Sequence, residues 1–281
     1  MRKLFLLVLC FLFLAACSNA ETQTTVPTDN SSISTTASTT DATETISTIA
    51  TTVPETIPPK ASLSIESGAH LMRYKDENSG NYMDYYLFVP NNATVDMPVV
   101  VFLHGIYQVG QPESLKNYAI VNCVKDIYGE DFPFLLLLPS THIYSWTTYD
   151  VPYTLHDLVD TVASTYQTDR NRIIITGHSL GAIGTWKMVS LYGNFFAAVV
   201  PVSCGSDETL EYESFQDVPV WGFVGNSGDD ELRYGNGMQN IASAIRGAGG
   251  DAKITVIDGA THLDMATMPY TQELFDWMLA Q

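Results

Sequence analysis

Apolar and polar positions are not spread evenly along this chain. Short, nearly continuous apolar runs recur at 85–89, 99–103, 134–138, 172–176, 197–202, 218–224 and 253–257. Continuous runs of that length suit strands buried on both faces of a sheet. Pro90 stops the first run and Asn91-Asn92 turns the chain. Pro139 stops the third. Between the runs the period changes. In 152–166, Leu155, Leu158, Val159 and Val162 recur at helical spacing and mark one apolar face. Helices are also predicted over 112–128, 182–191, 238–248 and 271–279, the third stopped by Gly249-Gly250. Strands alternating with helices predict an α/β domain over 61–281, with a mainly parallel central sheet covered by helices on both faces. In such a sheet, active groups gather at the carboxyl ends of the strands.

The first sixty residues break this pattern. Arg2 and Lys3 precede an apolar run at 4–13 that is too short for an ordinary membrane span. Leu14-Ala15-Ala16-Cys17 follows, and small residues before a cysteine resemble a bacterial lipobox. The expectation is a signal peptide over 1–16 and acyl chains on Cys17, which would tether the protein to the outer face of a cell membrane without spanning it. Residues 17–60 are rich in Thr and Ser, with Pro27, Pro54, Pro58 and Pro59, and without Gly or aromatic residues. Such a stretch buries too little apolar surface to offset its ordering entropy and reads as a disordered stalk.

Charge narrows the partners. Loss of Arg2 and Lys3 with the leader takes the formal charge from −18 to −20. That surface repels nucleic-acid phosphate and anionic lipid headgroups. Cys10 falls in the leader and Cys17 is the lipid candidate, leaving Cys123 and Cys204 with no spacing that dictates a pair. There is no Cys-x-x-Cys and no His/Cys cluster at metal-site spacing, so the sequence indicates neither metal nor cofactor.

The chemistry enters at the strand ends. After the 172–176 run stands Gly177-His178-Ser179-Leu180-Gly181, a G-x-S-x-G pattern between a strand and a helix. A serine hydroxyl becomes a nucleophile only with exposure at a sharp turn, a base and donors for the oxyanion. The 99–103 run ends at His104-Gly105-Ile106. The 218–224 run ends in a loop with Asp229, Asp230 and Glu231. The 253–257 run ends at Asp258-Gly259-Ala260-Thr261-His262. The order Ser, acid, His is that of α/β-hydrolases. Ser179 is the expected nucleophile and His262 the base. An aspartate would orient the imidazole, with Asp230 favoured narrowly over Asp229. The Leu180 N–H is one expected oxyanion donor and that of Ile106 the other. His104 reads as a structural part of the oxyanion loop, and His178 as a packing or hydrogen-bonding group.

These segments resemble α/β-hydrolases of the bacterial esterase group that includes polyhydroxybutyrate-depolymerase-like and feruloyl-esterase-like proteins. The resemblance is carried by the elbow approach at 168–179, Gly184-Thr185-Trp186, Phe196-Ala197-Ala198, Val200-Pro201-Val202, Phe102-Leu103-His104-Gly105 and Gly259-Ala260-Thr261-His262. It implies a serine carboxylesterase acting through an acyl-enzyme on a small-molecule or polysaccharide-linked ester. A serine peptidase of the same fold and an inactive binding protein on a hydrolase scaffold are the alternatives. The resemblance also places an aromatic residue at a substrate cleft. Trp146 is the candidate, with plain packing as the other reading, and Tyr107 and Tyr144 share that choice. Where many relatives have a glycine after Gly181, this chain has Ala182.

Overall fold

The apolar runs assemble into one eight-stranded sheet in a computed structural model that describes residues 61–206, 209–228 and 234–281. The strands are β1 (Gly68–Lys75), β2 (Tyr82–Val89), β3 (Val99–Leu103), β4 (Leu135–Ser140), β5 (Ile173–His178), β6 (Ala198–Val202), β7 (Val220–Gly225) and β8 (Ala252–Ile257). Their order is β1-β2-β4-β3-β5-β6-β7-β8. From β4 to β8 every neighbour is parallel, while β1 and β2 add an antiparallel edge. The proposed leader, Cys17 and the stalk lie outside the described residues.

Strand alternation splits the core into two layers. In β3, Val99, Val101 and Leu103 face one layer, and Val100 and Phe102 the other. The first layer is closed by α2 (Val151–Thr165), α3 (Leu180–Tyr192) and α4 (Asn236–Gly247). The second is closed by α1 (Ala119–Tyr128) and α5 (Gln272–Leu279). Leu155, Leu158, Val159 and Val162 are fully buried, as their helical spacing requires.

Two elements depart from the expectation. The edge strand β1 has no apolar run, because its residues alternate between exposed and half-buried. Its cross-strand neighbours Arg73 and Asp84 form a two-pronged ion pair at 2.6 and 2.9 Å. The helix expected over 112–128 is broken into a 3-10 segment, Pro112–Asn117, and α1. Tyr118 at the break is extended (φ −66°, ψ 157°). Its ring packs on Phe102 at 5.1 Å, and its hydroxyl bonds the Gly105 backbone. Tertiary contact therefore outweighs helical continuity there.

The order of strands places a switch point between β3 and β5. The chain leaves β3 toward β4 and returns past β3 to β5. Side chains that follow β3 and β5 thus meet in the crevice beyond their carboxyl ends.

Candidate active site

Ser179 occupies the turn between β5 and α3 with φ 59° and ψ −119°. A non-glycine residue there costs about 1–3 kcal/mol and persists only where its surroundings over-determine it. Its N–H donates to the Val202 carbonyl at 2.9 Å, and its own carbonyl accepts from Ala182 N–H at 2.9 Å. The flanking glycines are required by space. A Cβ at Gly177 would stand 2.6 Å from the Gly181 carbonyl carbon, and one at Gly181 would overlap the Leu103 carbonyl oxygen.

His262 arrives from the loop after β8. Its Nε2 lies 2.9 Å from Ser179 Oγ, across 83 residues of sequence. In that geometry the hydroxyl donates and Nε2 accepts, which is the arrangement a general base needs. The histidine is positioned from several sides. His178 Nε2 donates to the His262 carbonyl at 2.8 Å. The His178 and Tyr234 rings lie 4.8 and 4.9 Å from the imidazole. Thr261 donates from its backbone N–H and its hydroxyl to Asp264 at 2.9 and 2.6 Å. Those bonds, the hydroxyl's first, hold the Asp264 carboxyl below the usual range.

The loop after β7 is clamped to the loop that carries His262. Asn226 Nδ2 donates to Asp258 and Asn226 Oδ1 accepts from Gly259 N–H, both at 2.7 Å. Ser227 N–H donates to the Ala260 carbonyl at 3.0 Å. Asp258 is thereby engaged by Asn226. The two candidates for the triad acid, Asp229 and Asp230, lie outside the described residues.

On the opposite flank stands the loop after β3. Gly105 lies against Ser179: a Cβ on it would lie 3.8 Å from Ser179 Cβ. Ile106 opens the 3-10 turn Ile106–Gln108, and Leu180 opens α3. N–H groups at helix starts lack intrahelical acceptors and carry the positive end of the helix dipole. Both N–H groups therefore belong to first turns that flank Ser179.

His104 supports this loop from below. It is wholly buried, its Nδ1 donates to the Gly105 carbonyl at 2.7 Å, and its Nε2 accepts from Thr141 N–H at 3.2 Å. The two bonds select one neutral tautomer. Burial pushes its pKa down to about 4. Trp146 corrects an expectation, since it does not line a cleft. It has no exposed surface, donates from Nε1 to the His104 carbonyl at 3.1 Å, and packs edge-on against the His104 ring at 4.9 Å. A Cβ at Gly184 would sit 2.7 Å from Trp146 Cβ, so the tryptophan seats directly on α3. Tyr107 and Tyr144 are instead 76% and 73% exposed. Cys123 and Cys204 are not joined in a disulfide.

Sequence reasoning did not find Tyr234 or the roles of Asn226 and Thr141. Each acts through a contact distant in sequence, and no local motif marks it.

A mainly parallel sheet with a strained serine elbow after β5 and a histidine after the last strand defines the α/β-hydrolase fold. No family model matches the chain. The structure is similar to that of a thermostable esterase, with TM-score 0.66, 25% identity, and coverage of 76% of this chain and 63% of that one. A poly(3-hydroxybutyrate) depolymerase from Bordetella parapertussis shares the fold at TM-score 0.57 and 16% identity, covering 75% of this chain and 90% of that one. In sequence, the chain is 28% identical over 141 residues to acetylxylan esterase A of Emericella nidulans, covering 43% of each protein. It is 26% identical over 166 residues to a bifunctional acetylxylan esterase/xylanase of Neocallimastix patriciarum, covering 57% of this chain and 23% of that protein. The chain spans less than half the length of these two curated relatives.

Proposed function

We propose that this protein is a serine carboxylesterase that removes acyl groups from polysaccharide-linked esters. The observation that carries the reading is the 2.9 Å contact between Ser179 Oγ and His262 Nε2 at a strained elbow. Ser179 attacks the ester carbonyl as His262 takes its proton. The oxyanion is met by the N–H groups of Leu180 and Ile106. His262 then protonates the leaving alcohol, and water, activated by the same imidazole, releases the acid from the acyl-enzyme. Asp230, or Asp229 beside it, orients the imidazole.

The polysaccharide part of the proposal rests on the acetylxylan esterases among the relatives. The leader-like segment and Cys17 add a place of action outside the cytoplasm, tethered by lipid. The test is hydrolysis of p-nitrophenyl acetate and acetylated xylan by the parent and by Ser179→Ala. Loss of at least about 1,000-fold in kcat is expected on both, with fluorophosphonate labelling abolished. Parent-level hydrolysis by the variant sinks the reading. Fractionation of the producing cells reads the tether: activity that stays soluble overturns Cys17 as the anchor.

A further inference from the structure

A groove of about 320 Å³ opens at the carboxyl end of β4 and the adjoining end of β2, outside the Ser179 site. Its volume falls within the usual range for small-ligand clefts, about 300–1,000 Å³. Tyr82, His142, Tyr149 and Asp150 line it, together with Ser140.

Its aromatic walls are largely open to solvent. Tyr149 is 85% exposed, yet its backbone is held at φ 55°. A bulky residue at positive φ is an outlier, and such strain tends to collect at ligand clamps. Tyr82 is 45% exposed, with the Arg73 guanidinium 4.4 Å from its ring centre and the His142 ring at 5.0 Å. Its ring is thus oriented in advance while one side stays open to solvent. Ser140 adds a buried hydroxyl that makes no hydrogen bond to the described residues.

We infer that this groove is a binding subsite for the backbone of a neutral polysaccharide, and the inference rests on the esterase reading above. Sugar rings present C–H faces that pack on aromatic side chains and hydroxyls that pair with polar ones. Tyr82 and Tyr149 supply the first kind of surface. His142 and Asp150 supply the second. The charge balance selects against an acidic chain. Arg73, beside the groove, is committed to Asp84, whereas Asp150 lines the wall.

The location fits a chain that also reaches the nucleophile. β4 is two positions from β5 in the sheet, which is about 10 Å at ordinary strand spacing. A few linked sugars span that distance. Thr141, at the groove, donates its N–H to His104 beneath the oxyanion loop, so the two sites share one support.

The test is titration of the full-length protein with unsubstituted xylohexaose, which carries no ester and is not turned over. Saturable binding is expected, weakened about tenfold by Tyr149→Asn, the scale of one lost aromatic contact. Asparagine tolerates the left-handed backbone, and the Tyr149 ring is mostly in solvent, so thermal melting should not change. Tyr82→Ala serves as a second variant with the same expected direction. No binding of xylohexaose, or equal binding by the parent and both variants, overturns the inference. A protein that cleaves p-nitrophenyl acetate through Ser179 and ignores xylohexaose refutes the groove alone. One that binds xylohexaose without Ser179-dependent hydrolysis refutes the esterase reading alone.

Discussion

The two flanks of Ser179 are built from different materials. On the flank formed by the loop after β3, His104 and Trp146 are wholly buried and joined by a hydrogen bond from the indole Nε1–H to the His104 carbonyl, with α3 seated on the tryptophan at Gly184. On the histidine flank, the contacts that join the loops after β7 and β8 are exposed and polar: Asn226 with Asp258 and Gly259, and Thr261 with Asp264. One flank is held by packing, which resists water and tolerates little change of volume. The other combines exposed hydrogen bonds, each of small net strength, with the part-buried bond from His178 to the His262 carbonyl. The loop after β3 is thus fixed by its packing, while the loops after β7 and β8 are joined at the surface by polar contacts.

The largest expected effect is on the packed flank. Trp146→Ala empties a fully buried site and should cost about 3–5 kcal/mol in denaturant unfolding. A cost below about 1 kcal/mol would mean that the oxyanion loop does not depend on the buried ring, and the comparison would fail.

The next effect is a pH dependence of the same flank. Burial holds the His104 pKa at about 4 in the folded protein, against about 6.5 for an unperturbed imidazole. The unfolded chain therefore binds a proton between pH 6.5 and 4 that the folded protein refuses. Stability conferred by neutral His104 is full above pH 6.5 and lost as pH falls toward 4, by about 3 kcal/mol in all. His104→Gln should flatten that part of the stability–pH curve. An unchanged slope would assign the acid sensitivity to other groups.

The smallest stability effect belongs to the histidine flank. Asn226→Ala removes two exposed hydrogen bonds and should lower stability by no more than about 1 kcal/mol. Its kcat should nevertheless fall on the order of tenfold, less than the ~100-fold that a 1 Å misplacement of catalytic groups can cost. KM for a small ester should stay near the parent value. A large loss of stability with unchanged kcat would reverse the contrast between the flanks.

Legibility followed the same division only in part. The interior strands were plain as apolar runs because parallel strands buried on both faces need apolar side chains at nearly every position. β1 was not, because an edge strand buries one face incompletely and carries charge. The break at Tyr118 was hidden because its cause is a contact with Phe102 and Gly105. For Trp146 the resemblance left a substrate cleft and plain packing open, and the fold turns it inward against the His104 carbonyl and Gly184.

By itself, the sequence determined the α/β alternation and the tight turn at Ser179. It also marked Ser179 and His262 as candidates at strand ends. These are local properties: periodicity follows from strand and helix geometry, and glycine is dictated where a Cβ has no room. Tertiary structure alone decided that β4 lies between β2 and β3 and that His178 holds the His262 carbonyl. It also turned Trp146 into a buried support and brought Tyr82 and Tyr149 to one groove. Those outcomes depend on which surfaces meet after long loops close, and neighbouring residues carry no record of that choice.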